Sequence, residues 1–186
     1  MNYYSDNTFL RIGKQDLVPG QYENCSFEEC DFSEENWSSY KFIDCVFSDC
    51  NLSLIKVNNT SFQQVQFNQC KIIGVLFEQV NPFSLEVSFT SCNLSHASFY
   101  KLSIKRARFI QCELQEVDFT EADLTESNFQ GADLHGAIFE NSNLEKADFS
   151  SARHFQIDPR NNKVKKAKFT LDGLPGLLTQ FQLEIK

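Results

Sequence analysis

The stretch from residue 89 to residue 149 decides the fold: FTSCNLSHASFYKLSIKRARFIQCELQEVDFTEADLTESNFQGADLHGAIFENSNLEKADF. A large apolar residue (Phe, Leu or Ile) occupies every fifth position of this stretch. A period of five fits neither the 3.6-residue repeat of an α-helix nor the two-residue alternation of a β-strand. It predicts a chain that turns a corner every five residues, so that four corners close one coil of about 20 residues.

The same spacing extends beyond this stretch as a column of phenylalanines. Neighbouring members are 20 residues apart, except for one step of 22 residues. The column consists of Phe27, Phe47, Phe67, Phe89, Phe109, Phe129, Phe149 and Phe169. Equivalent positions of successive coils stack on one another in a repeat of this kind, so we expect these rings to form a core ladder.

A second inward position lies two residues before each central apolar residue, because side chains of extended residues alternate between two sides. This position usually holds a small or moderate residue such as Cys, Ala, Ser or Val. The other three positions of each group of five then face solvent. The pattern predicts a filled core with no evident pocket, and nothing assembles a nucleophile, a base and an oxyanion donor. We therefore expect a protein that is not an enzyme and has no cofactor.

Three groups of the repeat carry a specific consensus: Ala122-Asp123-Leu124, Ala132-Asp133-Leu134 and Ala147-Asp148-Phe149. Alanine, then Asp or Asn, then Leu or Phe resembles the consensus of the pentapeptide repeat proteins. With the phased central residues, the resemblance covers most of residues 22–152. It implies an all-β fold, the right-handed quadrilateral (parallel) β-helix of that family, over residues 21–170.

Three segments depart from the regular repeat. Residues 1–20 carry a weak version of it and are expected to form an N-terminal cap. Residues 78–88 break the frame by two residues around Pro82, which cannot donate a ladder hydrogen bond and predicts a bulge or short loop. Residues 171–186 leave the five-residue rhythm, and their apolar residues at helical spacing predict a C-terminal α-helical cap. The alternating apolar residues Leu183 and Ile185 predict a short strand at its end.

The C-terminal segment has two readings. The simpler one is a cap over the last coil. The resemblance adds another, because a similar apolar tail joins two subunits tail to tail in many bacterial members of the family. The expected homodimer interface consists of Leu174, Leu177, Leu178, Phe181, Leu183 and Ile185.

Seven cysteines raise the question of a zinc site or disulfides. They are Cys25, Cys30, Cys45, Cys50, Cys70, Cys92 and Cys112. Structural zinc sites favour a C-x-x-C pair, whereas the pairs here have four residues between them. Side chains that point in parallel into one core also have the wrong Cβ directions for disulfides. We interpret the cysteines as small buried apolar residues in a reducing cytoplasm, and we expect no metal.

The overall charge limits the classes of partner that the protein can bind. A net charge of −8 and a pI near 4.9 disfavour direct binding to nucleic acid or to an anionic membrane surface. No apolar run approaches the roughly 20 residues of a membrane span, and the N-terminus lacks the pattern of a signal peptide. A cytoplasmic protein is expected.

An acidic band occupies residues 113–150. Its acids are Glu113, Glu116, Asp118, Glu121, Asp123, Glu126, Asp133, Glu140, Glu145 and Asp148. Lys146 is the one Lys or Arg within the segment, which therefore carries −9 against +1 for the rest of the chain. All ten acids fall at outward positions. Either they form an ordinary solvated surface, or they imitate the charge of duplex DNA, which carries about one charge per 1.7 Å.

The family resemblance gives a specific function to the interpretation of the acidic band as a DNA mimic. The chain is similar to the bacterial quinolone-resistance and microcin-immunity members of the family, whose shape imitates DNA and which act on the type II topoisomerases DNA gyrase and topoisomerase IV. It implies a DNA-mimicking topoisomerase-binding protein that gives quinolone tolerance or immunity to a gyrase poison. The alternative is a non-catalytic, rigid scaffold for another intracellular partner, since a fold does not determine a function.

Overall fold

The structure, a computed structural model, describes residues 2–14 and 16–184. The chain forms a right-handed quadrilateral β-helix of parallel strands. The described strands are β1 (Asn2–Ser5), β2 (Thr8–Leu10), β3 (Gly20–Glu23), β4 (Ser26–Glu28), β5 (Lys41–Ile43), β6 (Val46–Ser48), β7 (Ser61–Gln63), β8 (Val65–Asn68), β9 (Val87–Thr90) and β10 (Arg108–Ile110). They form one sheet in the order β1-β3-β5-β7 and another in the order β10-β9-β8-β6-β4-β2.

The register between coils follows the repeat of the sequence. Phe27 lies opposite Phe47, and Phe67 lies opposite Phe89 across the frame break. After β10 the coils continue through single parallel bridges, such as the one between Asp123 and Asn143. The N-terminal segment belongs to the same architecture, because β1 and β2 pair in parallel with β3 and β4.

Four faces surround the core, and each is named here by its column of central residues. Face 1 includes Tyr22, Phe42 and Phe62 before the frame break and Ile104, Leu124 and Leu144 after it. Face 2 is the phenylalanine column that begins at Phe27. Face 3 includes Phe32, Leu52, Ile72, Leu94, Leu114 and Leu134. Face 4 includes Trp37, Val57, Phe77, Phe99, Phe119 and Phe139.

The phenylalanines of face 2 stack as a continuous ladder from Phe27 to Phe169. Neighbouring ring centroids are 4.5–5.3 Å apart and their planes differ by at most 15°. Rings of face 4 meet this ladder edge-on, as Phe99 does with Phe109 at 5.6 Å and 82°. Both arrangements are favourable for aromatic rings, so the core gains from ring geometry as well as from burial.

The corners have a backbone conformation that the repeat did not reveal. The residue two positions after a central residue has a positive φ in nearly every coil, for example 53° at Glu116 and 57° at Glu121. Non-glycine residues adopt this left-handed region uncommonly, because their Cβ crowds the backbone. Ladder hydrogen bonds compensate, such as the 2.9 Å bond from the Glu126 N–H to the Glu145 carbonyl. Corner side chains therefore project outward in stacked columns.

The seven cysteines are buried and reduced. Their thiols donate to backbone carbonyls, as Cys45 does to Ile43 at 3.3 Å and to Tyr22 at 3.4 Å. Burial raises the pKa of Cys45 to about 12, which keeps this thiol protonated at neutral pH.

The frame break is a short bulge on face 1. A 3₁₀ helix covers Phe77–Gln79. The five residues 82–86 then occupy the place that the three residues 62–64 occupy in the preceding coil. Phe83 at the tip is 75 % exposed. The ladder resumes at once, with Val65 opposite Val87.

The C-terminal cap is helical, but it is not the α-helix that apolar spacing predicts. It consists of two 3₁₀ helices, Leu171–Leu177 and Thr179–Phe181. Pro175 has no N–H for an α-helical bond, and glycines on both sides of it weaken the α conformation. The Gly176 carbonyl instead accepts a 3.0 Å bond from the Ile157 N–H and holds the cap against the last coil. No strand forms at Leu183, and Ile185 lies outside the described residues.

Candidate functional site: the acidic band

The ten acids of the band all reach the surface, and none of them is buried. Three of them, Glu116, Glu121 and Glu126, are corner residues with positive φ. The others lie on the flat parts of all four faces. Register places Asp118 on face 4, opposite Ser98 and Ile138. The band therefore surrounds the coils instead of forming a single patch.

Basic side chains of neighbouring coils contact the corner acids. Glu121 lies 3.5 Å from Lys101, and Glu116 lies 3.3 Å from His96 Nδ1. Glu126 contacts two cations, Arg106 at 3.4 Å and Lys146 at 2.6 Å. The hydrogen bond from Lys146 is the largest cause of the lowered pKa of Glu126. Each pair joins residues 20 positions apart, one coil above the other.

Three acids on the flat faces are also paired. Asp123 lies 3.3 Å from Lys105, Asp133 lies 2.8 Å from His154 Nδ1, and Asp148 lies 3.0 Å from Lys168. The pKa of Asp148 is lowered, first by the 2.5 Å hydrogen bond from the Ser150 hydroxyl, against partial burial, and further by Lys168.

The segments on either side of the band balance its charge. Residues 93–112 carry four cations and no acid, and residues 151–170 carry six cations and one acid. The two flanking segments carry net charges of +4 and +5, which together balance the −9 of the band, so residues 93–170 have no net charge. The band is a ring of negative charge between two positive zones, and its field falls off faster than that of an uncompensated segment.

Four carboxylates have no Lys, Arg or His nitrogen within 4.0 Å among the described residues: Glu113, Asp118, Glu140 and Glu145. Glu113 accepts a hydrogen bond from the Asn93 side-chain amide, and Asp118 accepts one of 2.8 Å from the Thr120 N–H. Glu113 lies on face 3, and Asp118 and Glu140 lie on the adjacent face 4. These three carboxylates form the open part of the band on adjacent faces, whereas Glu145 follows Leu144 on face 1.

The structure divides the residues expected at a dimer interface. Leu177 packs against the core, and Leu178 is half-buried. Leu174, Phe181 and Leu183 are exposed by 41 %, 48 % and 58 %. Leu171, which was not among the residues expected at the interface, is 84 % exposed. The cap thus presents an apolar surface made of different residues from those that hold it in place.

Other classes of site have little support in the part of the chain that the structure describes. No group of three His, Cys, Asp or Glu side chains there could hold a metal ion. No helix among residues 2–14 and 16–184 is long and apolar enough to cross a membrane.

Comparison with known families agrees with this architecture. The profile of the "Pentapeptide repeat region" matches residues 21–82 and 85–153. The chain belongs to the pentapeptide repeat family. The two residues omitted between the matched ranges, Phe83 and Ser84, are at the tip of the frame break, where two extra residues enter the coil. No curated protein sequence matches the chain.

Solved structures with the same fold include those of QnrB1, a plasmid-mediated fluoroquinolone resistance protein. A trypsin-treated variant of QnrB1 superposes with a TM-score of 0.67 and 18 % identity, over 100 % of both chains. Full-length QnrB1 gives 0.61 and 17 % identity, over 98 % of this chain and 100 % of QnrB1. At such identities the likeness concerns the fold: a pentapeptide β-helix of similar length.

Proposed function

We propose that this pentapeptide repeat protein binds a bacterial type II topoisomerase, DNA gyrase or topoisomerase IV, in the manner of a DNA mimic. The observation that carries the proposal is the group of open carboxylates Glu113, Asp118 and Glu140 on adjacent faces of a rod. The proposed role is binding without catalysis, and it requires a cytoplasmic protein. Competition with DNA, or displacement of a poison from the enzyme–DNA complex, needs only a shaped and charged surface.

The dimensions favour this reading. Seven coil steps separate Phe27 from Phe169, which makes about 33 Å at the roughly 4.8 Å spacing of parallel strands. We propose that two chains associate through the exposed apolar surface of the cap, Leu171, Leu174, Phe181 and Leu183. The homodimer would be a rod of about 65–70 Å with an acidic band on each side of its centre. A rod of this length and charge pattern would resemble a segment of DNA to a topoisomerase.

The likeness to QnrB1 suggests the physiological outcome. QnrB1 is a fluoroquinolone resistance protein of the same fold and similar length. We propose that the present chain gives quinolone tolerance, or immunity to another gyrase poison. The frame break here adds only two residues to a coil and exposes a single aromatic side chain, Phe83.

A second function, a rigid scaffold for another intracellular partner, is favoured by one specific observation. Residues 93–170 carry no net charge, because cations from flanking coils match the acids of the band. A partner with complementary zones of negative and positive charge would bind this surface no less favourably than an enzyme that normally binds DNA.

The experiment that separates the two functions is a gyrase supercoiling assay with purified protein added, in the presence and absence of a fluoroquinolone. Rescue of supercoiling from the drug, or inhibition without the drug, is the result expected for topoisomerase binding. Absence of any effect at tens of micromolar, with gyrase from the host bacterium, would contradict that function and favour the scaffold.

A further inference from the structure

A groove lies where the frame break interrupts face 1. The sheet β1-β3-β5-β7 ends at β7, and the ladder of this face resumes only at the bridge between Ser103 and Asp123. The bulge at residues 82–86 leaves a groove of about 580 Å³ between the two parts, at the corner of faces 1 and 2. This volume lies in the range of about 300–1,000 Å³ that is typical of ligand sites.

One wall of the groove is basic. Lys105, Arg106 and Arg108 line it within four consecutive residues. Lys105 and Arg106 contact acids of the next coil at 3.3 and 3.4 Å, but the Arg106 side chain remains 82 % exposed. Exposed contacts of this kind contribute little and are readily exchanged for a better partner.

Arg108 is the free cation of this wall. No carboxylate lies within 4.0 Å of it among residues 2–14 and 16–184, and its side chain is exposed. Its ladder neighbours above and below, Ser88 and Asn128, are both neutral. A guanidinium in these surroundings can take a carboxylate through two parallel hydrogen bonds.

The rest of the groove is polar at its edges and apolar at its base. Gln64 and Gln66 line the opposite edge, and their amides can both donate to and accept from a peptide backbone. Leu85 and Ile104 supply apolar surface. Glu86 is the one acid in the lining, so the lining residues carry two net positive charges. Asp123 and Glu126, which contact Lys105 and Arg106, lie outside the lining, and Arg108 is the cation of this wall that they do not contact.

We propose that this groove binds a short acidic segment of a partner protein, with a Glu or Asp carboxylate on Arg108 and a second one on Arg106. A nucleic acid fits less well, because its closely spaced phosphates would approach Asp123 and Glu126 in the next coil. The exposed ring of Phe83, at the tip of the bulge, offers the same partner an apolar contact. The site is independent of the proposed topoisomerase surface, which lies on faces 3 and 4.

The test is an NMR titration of the full chain with the peptide Gly-Ser-Gly-Glu-Glu-Gly-Ser-Gly, and with the same peptide carrying Gln in place of Glu. We expect amide shifts to change at Gln64, Gln66, Glu86 and Arg108 with the acidic peptide, with a dissociation constant below about 1 mM. Arg108→Gln should weaken the binding about tenfold, because it removes a charge-assisted pair. Arg153→Gln, an exposed arginine on face 3, is the matched control and should leave the affinity unchanged.

Other outcomes would overturn the proposal. They are equal binding of the Gln peptide, equal weakening by the two Arg→Gln variants, shift changes centred outside the groove, and no shift change at several millimolar peptide. A single-stranded DNA oligonucleotide that shifts the groove signals at lower concentration than the peptide would overturn the choice of a protein segment.

Discussion

Phe109 and Phe129 stack with their ring centroids 5.1 Å apart and their planes within 9° of each other. The 20 residues between them form one complete coil, so this contact is the step that the whole sequence repeats. Phe109 also meets Phe99 and Phe119 edge-on, at 5.6 Å in both cases. The ladder is therefore held by ring contacts along its axis and across it.

Removal of one ring should open a cavity that the rigid coils cannot close. We expect Phe109→Ala to lower the free energy of unfolding by about 3–5 kcal/mol, measured by urea denaturation. Phe83→Ala is the matched control: its ring is 75 % exposed, and its loss should change stability by less than about 0.5 kcal/mol. Similar losses for the two variants would contradict the ladder.

The buried thiols should be unreactive. All seven cysteines are free and buried, and burial raises the pKa of Cys45 to about 12. We expect a disulfide reagent such as DTNB to modify none of them in the native protein at pH 8, and all of them in denaturant. Rapid modification of any thiol under native conditions would show that the coils open locally.

Gly176 should be indispensable for docking of the cap. A Cβ added at this position would lie 2.4 Å from the Phe155 carbonyl oxygen, a backbone atom that cannot move aside cheaply. We expect Gly176→Ala to detach the 3₁₀ helices and to increase proteolysis after residue 170, while the circular dichroism of the coils persists. Thr179→Ala, an exposed substitution in the same cap, should have no such effect. A fully protected G176A variant would contradict the docking geometry.

Acid should weaken the protein through its paired carboxylates. The pKa of Asp148 is lowered in the folded state by Ser150 and Lys168, so this group stabilises the fold above its unfolded pKa of about 3.9. That contribution disappears as the pH falls below about 4 and through the lower folded pKa. We expect Asp148→Asn to lower Tm at pH 7 but by much less at pH 2. Glu145→Gln, with no cation within 4.0 Å among the described residues, is the control; an equal response of both variants would argue against the pair with Lys168.

Much of the fold follows from the sequence because every coil repeats one packing problem. The central residues, the alternating small residues and the outward acids all obey one spacing, so register could be predicted across the frame break from Phe67 to Phe89. The type of the C-terminal helix could not, since apolar spacing alone does not distinguish a 3₁₀ helix from a short α-helix. Pro175 and its neighbouring glycines were the available signal.

The corner conformation and the charge balance were missed for different reasons. Glu, Lys and Arg have no preference for positive φ, so residues such as Arg106 gave no local sign of it. The ion pairs did have a signal: Lys101 and Glu121, like Lys146 and Glu126, are 20 residues apart. A charge count within one segment does not include the cations of the coils stacked on it, such as Lys101 and Arg106.

The measurement that tests the central claim most directly is gyrase supercoiling with two charge-matched triple variants. E113Q/D118N/E140Q removes the open carboxylates of faces 3 and 4, whereas E121Q/D123N/E126Q removes three that are already paired with cations. With both variants folded by circular dichroism, we expect the first to lose the effect of the wild-type protein on gyrase and the second to retain most of it. No effect of the wild-type protein, or an equal loss in both variants, would contradict the claim that the open carboxylates bind the topoisomerase.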